Sequence, residues 1–228
     1  MTGEQALQLR GQALSLLPQR AAWHGASRTL FIADLHLGKS ASFRAQGLPV
    51  PSGTSQDNLD RLAALVDRHD AARVVFLGDL LHSRHAQRAT AIAPLRAWRD
   101  AHAALRCVLV RGNHDSHAGD PPPALRFEIV DEPWTVDGAP GLVACHHPQR
   151  VAGAAALAGH WHPAVTLRGP ARDHERLACF CHFADDDGDV LVLPAFGAFT
   201  GSSPQAPPAG STCWPVGGER VWPGIRID

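Results

Sequence analysis

The sequence predicts an α/β protein: a two-sheet β-sandwich flanked by helices, forming a single domain over residues 1–228. Three observations lead to it. Apolar runs that read as strands alternate with amphipathic stretches over residues 28–115, the β-α-β-α-β order of parallel strands joined by right-handed crossovers. After residue 126 the helical period disappears, and short strand-like runs follow one another between turn signals. With 228 residues, 45% of them hydrophobic, the chain is long enough for one sizeable core.

Taken in order, the first clear run is "RTLFIADLHLGK", 28–39, expected to be a strand that carries Asp34 and His36. On an extended backbone a D-x-H pair places both side chains on one face, because the strand period is two. "PSGTSQDNLDRLAALVDRH" then has a polar, cap-like start, followed by Leu59, Leu62, Leu65 and Val66 at helical spacing. "ARVVFLGDLLH", 72–82, is a second strand ending in Gly78-Asp79, and a second helix, 90–103, turns Ile92, Leu95 and Trp98 inward. "CVLV", 107–110, leads into "RGNHD", so three polar turns collect at one sheet edge, where open α/β sheets bind ligands. The second half is read as mostly antiparallel, with "DDDG", 185–188, as a hairpin turn and the Pro/Gly/Ser-rich 200–212 as an exposed loop. There is no internal repeat.

Composition narrows the function. Twenty-one basic residues against 22 acidic ones, a net charge of −1, give no global field to attract nucleic acid indiscriminately, so any such contact must be local. The five cysteines are odd in number and lack C-x-x-C spacing, which reads as small core residues in a reducing compartment. The N-terminus has neither the basic start nor the apolar stretch of a signal peptide, and no run is long enough to span a membrane. The expectation is a cytoplasmic protein. Histidine stands out, at 14 residues, and a His/Asp-rich, cysteine-poor donor set suits Mn²⁺, Fe or Zn²⁺.

Five predicted strand ends carry metal-type side chains: "DLH" at 34–36, "GD" at 78–79, "GNHD" at 112–115, "CHH" at 145–147 and "GHWH" at 159–162. In kind, order and number they could supply the seven or so ligands that two adjacent ions need, one carboxylate bridging. This ordered set resembles the calcineurin-like metallophosphoesterase superfamily and its α-β-β-α fold. The resemblance implies Asp34, His36, Asp79 and His162 around one ion, and Asp79, Asn113, His146 and His160 around the other, with Asp79 shared. His146 is favoured over His147, which a one-residue shift would exchange for it. His114 would be the catalytic imidazole, acting on the transition state while two ions acidify water for in-line attack. "GDLLHSR" is similar to a segment of the superfamily's DNA nucleases, which implies that His82 supports His114; a purely structural His82 is the other reading.

Longer segments, "ADLHLGKSASFRAQGLPVPSGT", "RVVFLGDLLHSR", "LVRGNHD", "ACHHPQ", "LAGHWHPAV" and "LPAFGAFTG", resemble the bacterial DNA-ligase-associated metallophosphoesterases. That resemblance implies a Mn²⁺-dependent phosphodiesterase and single-strand DNA endonuclease of DNA repair, partnered with a ligase, a helicase and an exonuclease. Lys39, the single lysine of the chain, follows the first motif directly and suits a flanking phosphate; Arg44, Arg84 and Arg111 are further candidates, along with Arg88 and Arg150. The alternatives are a hydrolase of small or cyclic nucleotide diesters, which needs the same metal site, and a non-catalytic scaffold, which would not need an intact one.

Overall fold

A computed structural model describes residues 3–39, 43, 54–169, 173–198, 200–203 and 205–228. Residues Gln5–Leu9 (β1), Gln12–Leu17 (β2), Ala21–His24 (β3) and Thr29–Ile32 (β4) form an antiparallel meander. Helix α1 (Thr54–His69), β5 (Arg73–Leu77), α2 (Ala89–Ala101), β6 (Arg106–Val110), the short α3 (Asn113–Ala118) and β7 (Phe127–Val130) follow. From β4 to β7 every pairing is parallel, and the seven strands lie in the sheet in sequence order.

The helices form where the apolar spacing demands. Leu59, Leu62, Leu65 and Val66 of α1, and Ile92, Leu95 and Trp98 of α2, are all buried against Leu30, Ile32, Val74 and Phe76 of the first sheet. Asp57 in the first turn of α1, and Arg68 and His69 in its last, complement the helix dipole. The first three strands had no counterpart in the sequence reading. Their burial alternates only in part, and the turn between β1 and β2 sits on Arg10-Gly11, both at positive φ.

The second sheet contains β8 (Trp134–Thr135), β9 (Leu142–Ala144), β10 (Ala155–Ala158), β11 (Ala164–Arg168), β12 (His174–Ala184), β13 (Asp189–Val192), β14 (Thr212–Gly217), β15 (Arg220–Val221) and β16 (Ile225–Arg226). The β12–β13 hairpin turns at 185–188 as expected. The half is mostly antiparallel, as expected, with a parallel centre: β10 pairs in parallel with both β9 and β13. The cause is burial. "AALA" and "LVA" have no exposed residue, the signature of strands covered on both faces rather than half-solvated ones.

The sheets pack face to face through Phe31, Val75, Val108, Leu142, Leu157, Phe180 and Leu191. Among the described residues the helices cover the first sheet. The outer face of the second carries a tight layer with Cys145, Cys179, Cys181 and Cys213, and all five cysteines are free and buried. None of the described helices is long and apolar enough to cross a membrane. The consequence for function lies in the parallel strands: β4, β5, β6, β9 and β10 all end at the same edge of the sandwich, each delivering one turn to it.

Candidate metal centre

Each of those turns carries one of the five motifs. Strand β4 stops at Ile32, short of Asp34, so the D-x-H pair is not on an extended strand as the sequence suggested. Asp34 and His36 take φ values of 53° and 47°, Asp79 takes 52°, and His160 and His162 take 67° and 46°. These are left-handed conformations that cost non-glycine residues about 1–3 kcal/mol each. They bend the chain back at these five residues. Both side chains of a pair therefore reach one point, through a curled backbone rather than through strand alternation. The turns are tied together: the N–H of Asp34 donates to Gly78 O at 3.3 Å, that of His36 to Asp79 O at 2.9 Å and that of Leu37 to Leu80 O at 2.8 Å.

Two glycines make the approach possible. A Cβ on Gly78, whose φ is +79°, would sit 2.0 Å from His146 Nδ1, and one on Gly112 would sit 2.4 Å from Asp79 Oδ1. The second letter of each motif can close in on its neighbours only because the first has no side chain.

The donors fall into two halves around Asp79. Its Oδ2 lies 3.6 Å from His36 Nε2, while its Oδ1 lies 3.6 Å from His146 Nε2. On the first side, Asp34 Oδ1 is 3.5 Å from His162 Nε2. On the second, His146 Nε2 is 2.8 Å from Asn113 Oδ1 and 3.1 Å from His160 Nδ1. Asp34, His36 and His162 form one group, and Asp34, Asp79 and His146 another, whose ligand atoms lie within 4.8 Å of one another. Both ring nitrogens of His36 and Nε2 of His162 are buried with no hydrogen-bond partner among the described residues. Buried nitrogens in proteins are normally paired, so lone pairs left open beside two buried carboxylates fit cations. Burial, followed by the field of Lys39 and the neighbouring imidazoles, pushes His36 down to about 2, which leaves the ring neutral and ready to ligate. Burial also lowers His160, with His146 and His147 adding to the effect, and raises Asp79 against the opposing pull of His146. The donor set suits two divalent ions sharing Asp79.

Of the adjacent histidines, His146 is fully buried within the donors, its Nδ1–H donating to Leu77 O at 3.0 Å. His147 lies at the rim, with a half-exposed side chain and its Nδ1 2.6 Å from Glu132 Oε1. His114 stands beside the cluster, its side chain 38% exposed and its Nε2 4.0 Å from Asp79 Oδ2. Nδ1 of His114 is 3.2 Å from the carbonyl oxygen of His82; a carbonyl can only accept, so the proton sits on Nδ1 and Nε2 faces the site. The His82 ring stacks on His114 at 5.3 Å, so His82 touches His114 through its carbonyl and its ring face.

The cationic candidates separate. Lys39 is partly buried, reaches Thr200 O at 3.4 Å and is close enough to Asp34 and Asp79 to feel both charges. Arg111 is forked onto Asp120 at 3.0 Å and paired with Asp131. Arg150 pairs with Asp185, and Arg84 donates to His117 O at 3.1 Å from an exposed position. Arg44 lies outside the described residues. Two carboxylates went unassigned in the sequence reading. Asp115, fully buried, accepts the N–H groups of Leu81 and Gly112 at 3.2 and 3.1 Å and so locks the second turn to the third. Glu132 grips the fourth turn. Asp115 could have been suspected as the fourth member of a helix-capping box, but "DEPW" around Glu132 carries no such signal.

The model of the family described as calcineurin-like phosphoesterase matches residues 27–160, well over half of the chain and four of the five motifs in full. The chain belongs to the calcineurin-like phosphoesterase family. It is therefore a metal-dependent phosphoesterase, a hydrolase of ester bonds. A solved structure, the nuclease MPE of Pseudomonas putida, is similar at 39% identity over 97% of this phosphoesterase and 100% of that chain, with a TM-score of 0.81. More distant are the phosphoesterase Yfce of E. coli, at 17% identity over 88% of this chain and 99% of that one with a TM-score of 0.44, and a protein of unknown function, AQ665 of Aquifex aeolicus, at 18%, 58%, 77% and 0.40. No curated protein matches the chain significantly.

Proposed function

We propose that this phosphoesterase is a Mn²⁺-dependent phosphodiesterase that cuts single-stranded DNA internally, in DNA repair. The observation that carries the reading is the likeness along its whole length to a solved nuclease, with all five donor turns and His114 in place. Oxygen- and imidazole-rich donors without thiolate suit Mn²⁺. When bound, the pair of ions supplies Lewis acidity to water and to the phosphoryl oxygens.

The chain's own residues do the remainder. Asp34, His36, Asp79 and His162 on one side, and Asp79, Asn113, His146 and His160 on the other, would hold the ions. Asp79 also accepts the His114 N–H at 2.9 Å, so the group that joins the two positions fixes the catalytic imidazole as well. His114, anchored through Nδ1–H on the His82 carbonyl, presents Nε2 to the departing oxygen and to the charge developing on the phosphoryl group. Lys39, close to Asp34 and Asp79, binds a phosphate flanking the scissile one. The free, buried cysteines support a reducing, cytoplasmic setting. A ligase, a helicase and an exonuclease of a repair cluster are the proposed partners, on the resemblance of the longer segments alone.

Circular single-stranded DNA tests the reading, because it has no end. The Mn²⁺-loaded protein is expected to linearise it and then shorten it, while cutting stiff duplex DNA poorly. Intact circles under conditions where a small chromogenic diester is hydrolysed briskly would replace the nuclease reading with that of a small-diester hydrolase.

A further inference from the structure

His146 is held by more than its neighbours in the sequence. Its carbonyl accepts the Gly159 N–H at 3.1 Å, and its Nδ1–H donates to Leu77 O, so the ring edge and one side of its peptide are anchored to the two adjacent turns. The remaining group, its N–H, points away from both. It donates to Glu132 Oε2 at 2.6 Å, and the same oxygen accepts the N–H of His147 at 2.8 Å. Glu132 Oε1 meets His147 Nδ1 at 2.6 Å. One carboxylate at the end of the first sheet thus takes both consecutive N–H groups of a turn that belongs to the second sheet. Without it, the buried N–H of His146 would lack a partner, which is costly.

We propose that Glu132 is the positioning residue of the second metal position: it sets the turn that aims His146 Nε2 at Asn113, Asp79 and His160, and it fixes the His147 ring against His160. The His147 and His160 ring centres are 4.5 Å apart, so a released His147 would press on the donor beside it. Glu132 itself touches no donor atom of Asp79, Asn113, His146 or His160; its one side-chain contact here is with His147 Nδ1. Its effect passes through the backbone and through His147, the way outer-shell carboxylates tune ligand orientation in metal sites.

The inference rests on the two-ion reading of the donors, and the experiment keeps the two apart. Mn²⁺ is titrated into metal-free protein and followed by electron paramagnetic resonance, with a spin-coupled signal reporting the second ion. Wild-type protein that takes up only one ion fails the two-ion reading itself. Given two ions in the wild type, Glu132→Ala should weaken the second by about 10- to 100-fold while leaving the first unchanged. Glu132→Gln, which keeps a carbonyl oxygen for both N–H groups, should restore most of that loss, and it decides the matter if the alanine variant does not fold. His147→Ala should retain both ions, because the ring is held at the rim. Two ions bound by Glu132→Ala as tightly as by wild type, an equal loss in the glutamine variant, or loss of the second ion in His147→Ala would each overturn the assignment.

Discussion

Asp79 and His114 are joined by a 2.9 Å hydrogen bond from the His114 backbone N–H to Asp79 Oδ1, while the imidazole of the same residue stops 4.0 Å short of Oδ2. Asp79, which lies between His36 and His146, thus anchors the main chain of His114 without a hydrogen bond to its ring. His114→Ala is therefore expected to bind both ions as wild type does and to lose turnover by roughly two to four powers of ten. Metal content measured beside steady-state rates checks this. Parallel loss of metal and activity would make His114 a ligand instead.

Metal-free protein should weaken as the pH falls below neutrality. His36 is held down to about 2 by burial first and then by nearby Lys39 and imidazoles, whereas in the unfolded chain it takes a proton near 6.5. The folded pKa is depressed, so on acidification the unfolded state gains a proton that the folded state refuses. Stability present above 6.5 is then lost at about 1.4 kcal/mol per pH unit for this group. Other groups titrate in the same range, including Asp115, which burial raises to about 6 with the opposite sign. The comparison is therefore with His36→Asn, whose stability by denaturant unfolding should have a slope shallower by one proton between pH 6 and 4. Identical slopes would refute the assignment.

Gly78→Ala should damage the site although it removes no functional group. The added Cβ would meet His146 Nδ1 at 2.0 Å, on a residue whose φ is +79°. Backbone strain alone costs about 1–3 kcal/mol, visible in denaturant unfolding, and displacement of His146 adds weaker binding of the second ion. Wild-type stability together with two tightly bound ions would show that the turn has more room than the geometry gives it.

Lys39→Ala separates strand binding from chemistry. If Lys39 contacts one phosphate of a single strand, losing it should make the log–log salt dependence of DNA binding shallower by about 0.7 and slow DNA cleavage. Hydrolysis of a small chromogenic diester, which has no flanking phosphate, should change much less. An equal loss on both substrates would place Lys39 in the reaction rather than beside it.

Most of this was legible because strand ends are where sequence pattern and chemistry coincide. Asp79 and Asn113 follow apolar runs whose parallel order located one sheet edge, and the resemblance of the ordered motifs added His146 to it. The curled backbone at Asp34, His36, His160 and His162 was not legible. Left-handed conformation at non-glycine residues is imposed by tertiary contacts such as His36 N–H to Asp79 O, not by local preference. Glu132 was invisible for a related reason: it acts on a turn 14 residues away in sequence through backbone hydrogen bonds, which no residue pattern records. The ion pairs of Arg111 were not legible either: its place beside "GNHD" suggested substrate binding, and nothing in the pattern showed that Asp120 and Asp131 would pair with it.

Asp79 turns one oxygen toward His36 and the other toward His146, the arrangement by which it would serve two ions at once. The most direct measurement is the metal content of Mn²⁺-loaded protein by elemental analysis, wild type against Asp79→Ala. The expected result is close to two ions per chain in the wild type, with both positions weakened in the variant. A single ion per chain, or two ions unaffected by loss of Asp79, would contradict it.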